Sequence, residues 1–75
     1  MDTLTTTIDV TGMTCGGCVA HVTEELQSLE GVKDVSVELD AGGTSTVTVI
    51  SDAPLNEQSL RAAVAEAGYD VAAID

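Results

Sequence analysis

Cys15 and Cys18 stand three positions apart in the run Gly12–Met13–Thr14–Cys15–Gly16–Gly17–Cys18, and the 75-residue chain contains no other cysteine. Thiolates are soft donors that select copper(I) over hard cations. Two cysteines at this spacing, one in a loop and one in the first turn of a helix, can point both sulfurs at a single ion. The unpaired N–H groups and positive dipole end of a helix also favour the thiolate, which is the form that binds metal. Ligand number weighs against structural zinc, which takes four protein ligands. Two cysteines and one histidine would leave zinc to borrow the rest. Copper(I) accepts a low coordination number, so a two-thiolate site keeps one side open for an incoming thiolate and permits transfer.

The same spacing occurs at the helix start of thiol–disulfide oxidoreductases, so a redox-active dithiol is the rival reading. Such enzymes commonly place an aromatic residue before the pair and a proline within it. This chain has Thr14 before it and Gly16–Gly17 within it.

The elements that must position the pair are legible from periodicity. Leu4, Thr6, Ile8 and Val10 alternate with Thr5, Thr7 and Asp9, which predicts a half-buried strand. Thr11 to Cys18 breaks the alternation with three glycines and reads as a loop. Val19, Val22, Leu26 and Leu29 then recur at helical spacing, giving an amphipathic helix closed by Gly31. A second strand is expected over Lys33–Asp40, with Val35, Val37 and Leu39 facing one core, then a tight turn at Ala41–Gly42–Gly43–Thr44. Ser45–Ser51 supplies a third strand that completes an antiparallel hairpin.

Asn56 is a candidate N-cap for a second helix, with Leu55 able to staple against Leu60 and an apolar stripe of Leu60, Ala63, Val64 and Ala67. Gly68 stops it, and Tyr69–Ile74 is the last strand. One apolar stripe per helix and alternating outer strands lead to an α+β, ferredoxin-like βαββαβ fold: a four-stranded antiparallel sheet with two helices on one face. Each glycine at 16 and 17 costs a helix about 1 kcal/mol relative to alanine, so Met13 to Gly17 is expected to be loose without metal.

Composition narrows the partners. Thirteen acidic residues against Lys33 and Arg61 give a net charge of −11, which excludes the basic patch that nucleic acid or an anionic membrane surface requires. The acidity reads first as solubility or adaptation to salt, and second as steering toward a basic partner. No apolar run approaches the ~20 residues of a membrane span, and Met1–Thr7 lacks a signal core, so no direct membrane insertion and a cytoplasmic location are expected. In a reducing cytosol a close cysteine pair points to metal or redox chemistry before a structural disulfide.

The run Gly12–Met13–Thr14–Cys15–Gly16–Gly17–Cys18–Val19 resembles the GMxCxxC signature of heavy-metal-associated domains, found in small copper chaperones and in the amino-terminal modules of copper-transporting P-type ATPases. Leu29–Val37 is similar to the family's L-x-G-V-x-x-V-x-V passage, and Ala67–Gly68–Tyr69 to its A-G-Y/F segment. The resemblance covers nearly the whole chain and implies that residues 1–75 are a single domain of this family with the ferredoxin-like fold. It further implies that copper(I) is held between Cys15 and Cys18 and passed to a metal-binding domain of a copper-transporting P-type ATPase through shared thiolates. The protein is then a non-enzymatic copper chaperone, a monomer whose exposed thiolates also allow a metal-bridged dimer. A mercury-binding protein using the same pair is the variant with a different metal.

Three further residues bear on the site. Met13 could offer a thioether, but the resemblance implies that it packs beneath the loop, a role that suits methionine as a filler of irregular gaps. His21, one turn after Cys18, reads as a solvated residue opposite the Val22–Leu26 stripe. The resemblance suggests that Tyr69, the only aromatic residue, shields the metal or bonds near a sulfur, with packing at the core edge as the alternative. The scarcity of cations departs from lysine-rich chaperones and makes Glu24, Glu25 and Glu30 candidate docking charges for a basic partner.

Overall fold

The computed structural model describes residues 3–13, 16–40 and 42–74. The order is β1 (Leu4–Thr11), α1 (Gly16–Gln27), β2 (Val32–Glu38), β3 (Thr44–Ser51), α2 (Glu57–Glu66) and β4 (Asp70–Ile74). The strands form one antiparallel sheet in the order β2-β3-β1-β4, as the ferredoxin-like plan requires.

Alternation decides which residues enter the core. Ile8 and Val10 of β1 and Val47 and Val49 of β3 are buried, and they meet Val22 and Leu26 of α1 and Leu60, Ala63 and Val64 of α2 in one apolar cluster. Apart from Met13, the buried cluster is aliphatic. Ser45 and Ser51 continue the buried face of β3 to its two ends, where their hydroxyls are satisfied: Asp40 N–H donates to Ser45 Oγ at 3.0 Å, and Ser51 Oγ donates to the Ala53 carbonyl at 2.9 Å. Each serine thereby ties a loop to a strand end.

The register that periodicity could not supply is Val37 opposite Val47 and Val35 opposite Val49, with a shift between Val32 and Asp34. Three expectations are corrected. Leu39 does not face the core: β2 ends at Glu38 because Asp40 turns back to Ser45, and Leu39 is left 40% exposed. The first helix ends at Gln27, where Ser28 Oγ donates to the Glu25 carbonyl at 2.6 Å, and Gly31 lies in the turn beyond it. The helix also begins at Gly16, two residues before the position periodicity gave. Residues of the first turn need no intrahelical N–H partner, so glycine is less costly there than in a helix interior.

The second helix follows its sequence signals closely. Asn56 caps it, accepting the Gln58 N–H at 2.7 Å, and Leu55 packs against the core from the preceding position. Its end is a Schellman motif: Gly68, at φ +95°, donates to the Ala65 carbonyl and Tyr69 N–H donates to the Val64 carbonyl at 3.1 Å. That geometry fixes where Tyr69 stands.

Candidate metal site

Antiparallel pairing gathers three connections at one end of the sheet. Thr11, the last residue of β1, is flanked by Asp70 at the start of β4 and by Thr44 at the start of β3. The loop carrying the cysteines, the α2–β4 turn and the β2–β3 hairpin are therefore neighbours. The pairing leaves the opposite end to the α1–β2 and β3–α2 connections.

Gly12 opens the cysteine loop at φ +93°, a conformation that L side chains rarely adopt. Met13 follows with only 1% exposure and belongs to the core cluster, so packing accounts for it as expected. Thr14 and Cys15 lie outside the described residues. Cys18 is the third residue of α1, half-buried and packed against the core. The loop is thus anchored on one side by the Met13 side chain and on the other by the first turn of the helix.

Tyr69 packs against the core edge at the same end. A Cβ built on Gly12 would meet its Cδ1 at 3.6 Å, ordinary van der Waals contact, so the ring borders the start of the cysteine loop. His21 is exposed, and among the described residues it joins no cluster of three or more His, Cys, Asp or Glu able to hold a metal ion. Glu24 and Glu30 are exposed and Glu25 is half-buried.

Both cations are paired at exposed positions: Lys33 Nζ lies 3.5 Å from Asp52 Oδ2, and Arg61 Nη2 lies 2.9 Å from Glu57 Oε1. Periodicity gave no hint of one feature: a shallow groove of about 430 Å³ between the cysteine loop and the hairpin, lined by Thr11, Gly12, Met13, Gly42, Gly43 and Thr44. It depends on the pairing of β1 with β3, which local patterning does not encode. None of the helices among the described residues is long and apolar enough to cross a membrane.

The chain is similar to human copper-transporting ATPase 2, with 37% identity over 70 residues, covering 93% of this chain and 5% of the ATPase. It is 39% identical over 67 residues to the mercuric transport protein periplasmic component of Salmonella typhi, covering 89% of this chain and 71% of that protein. Among solved structures, the amino-terminal domain of a potential copper-translocating P-type ATPase from Bacillus subtilis, in its Cu(I)-loaded state, superposes with a TM-score of 0.72. That domain is 30% identical, with 93% of this chain and 85% of the other covered. The model of the heavy-metal-associated domain matches residues 7–70, so the chain belongs to the heavy-metal-associated domain family.

Proposed function

We propose that the protein binds copper(I) through the thiolates of Cys15 and Cys18 and delivers it, without catalysing a reaction, to the metal-binding domain of a copper-transporting P-type ATPase. The observation that carries this reading is the setting of Cys18: a half-buried thiol in the first turn of α1, directly after a loop whose start is pinned by the buried Met13 and bordered by Tyr69. Membership of the family and the likeness to copper-transporting ATPases support it. The chain spans 5% of the length of human copper-transporting ATPase 2, so such an ATPase enters as the partner.

Transfer proceeds by thiolate exchange. An incoming thiolate adds to the open side of the ion, one resident thiolate leaves, and the step repeats until the ion is held by the partner. Residues 1–75 act as one domain, monomeric when metal is limiting and able to dimerise across a shared ion. The pair must stay reduced to work, which fits the cytoplasm.

Mercury is the second reading, favoured by the 39% identity to a mercuric transport protein across most of that protein's length. Anaerobic competition of copper(I), mercury(II) and zinc(II) for the purified protein, run beside a thiol–disulfide exchange assay, separates the readings. Tightest retention of copper(I) in competition with physiological thiols, with no exchange turnover, supports the proposal. Preferential mercury retention transfers the role to mercury, and turnover without metal affinity replaces binding by redox chemistry.

A further inference from the structure

We propose that the groove between the cysteine loop and the β2–β3 hairpin seats a lysine or arginine side chain of the protein that exchanges metal with this one. The inference rests on the metal-transfer reading above and adds the surface and the partner's charge.

The groove opens beside the cysteine loop, walled by Thr11, Gly12 and Met13 on one side and Gly42, Gly43 and Thr44 on the other. Its walls are small, so a long, unbranched side chain can lie in it. The Asp40 carboxylate is held over the hairpin wall: a Cβ on Gly43 would fall 2.8 Å from Asp40 Oδ2. The Asp40 backbone is fixed by two bonds, its N–H to Ser45 Oγ and its carbonyl from Gly43 N–H, both at 3.0 Å. Across the sheet, Asp70 pairs with Thr11 and Glu38 with Thr46, bringing two more carboxylates to this end. Leu39, 40% exposed beside Asp40, offers apolar surface for the stem of such a side chain.

The cations stand elsewhere. Lys33 and its partner Asp52 occupy the opposite end of the β2–β3 pair, and Arg61 is turned toward Glu57, the first residue of α2. The cysteine end of the molecule is therefore negative, while both positive charges are paired and distant. Glu24, Glu25, Glu30 and Asp34 keep the opposite end acidic as well, so what distinguishes the end where the ion is exchanged is that a basic surface meets carboxylates there and neither cation.

The test uses two copper(I)-loaded peptides, each with a single cysteine, one flanked by lysines and the other by glutamines, titrated into the ¹⁵N-labelled reduced protein. The lysine peptide is expected to shift the amides of Leu39 and Gly42–Thr44 together with those of the cysteine loop, while the glutamine peptide shifts the loop alone. Asp40→Lys is expected to weaken the lysine peptide by about fivefold or more and to leave copper(I) affinity, read by chelator competition, unchanged. Leu39→Ser repeats the test without altering charge and is expected to reduce the hairpin shifts. Equal hairpin shifts from both peptides, a silent hairpin, or shifts spread equally over Glu57–Arg61 would overturn the docking proposal. Failure of either peptide to pass metal to the wild-type protein would instead count against the transfer reading.

Discussion

The ring of Tyr69 lies against Gly12: a Cβ at position 12 would stand 3.6 Å from Tyr69 Cδ1. The two residues are far apart in sequence and belong to different connections, yet each is placed by a glycine at positive φ, Gly68 through the Schellman motif and Gly12 through its own backbone. The cysteine loop thus begins at a point held by the end of the second helix.

Gly12→Ala separates backbone strain from contact. The 3.6 Å distance leaves room for a methyl group, so the cost comes from φ +93°, on the order of 1–2 kcal/mol. Thermal unfolding should fall by roughly 5–15 °C. The same loss is expected in a Tyr69→Leu background. If Tyr69→Leu removed the penalty, the ring and not the backbone would be its source.

Met13 fills the core beneath the loop. Met13→Leu preserves volume and should cost less than about 1.5 kcal/mol, whereas Met13→Ala should cost about 2–5 kcal/mol. Because the role assigned is packing, Met13→Leu should retain wild-type copper(I) affinity in a chelator competition. A large loss of affinity in a stably folded Met13→Leu protein would make the thioether a ligand.

Gly16 is helical and has open space where a Cβ would lie, with no neighbour within 4 Å. Gly16→Ala should therefore raise stability by about 0.4–1 kcal/mol, chiefly by restricting the unfolded chain. If the glycine serves mobility in exchange, the same variant should pass copper(I) more slowly, as stopped-flow transfer would read. Unchanged stability together with unchanged transfer would leave Gly16 without the role given to it.

Local pattern carried most of the fold. The Asn56 cap, the Leu60–Ala63–Val64 stripe and the Ile8–Val10 alternation are short-range signals, and each appears where periodicity put it. Leu39 was misread because strand termination depends on Asp40 and Ser45 meeting across a turn, a contact that alternation alone cannot announce. The start of α1 was placed late since glycine is a poor helix former by propensity, although the first turn tolerates it. At the site, Cys18 and the buried Met13 lie as their sequence context suggested, and Cys15 falls outside the described residues. The groove beside them was hidden because it arises from the β1–β3 register.

Salt should stabilise this protein. The net charge of −11 repels itself in the compact state, while the two ion pairs are exposed and worth little. Screening therefore relieves more repulsion than attraction. The midpoint of thermal unfolding should rise steadily from low to molar sodium chloride. A fall over that range would mean that the pairs of Lys33 and Arg61 outweigh the excess acid.

The most direct test of the central claim is an anaerobic copper(I) titration of the reduced protein against a chromophoric chelator, alongside Cys15→Ser and Cys18→Ser. The account predicts one copper(I) per chain at low protein concentration, with retention lost in either variant while the folded circular dichroism spectrum persists. Wild-type affinity in either single variant would contradict a site built on the two thiolates.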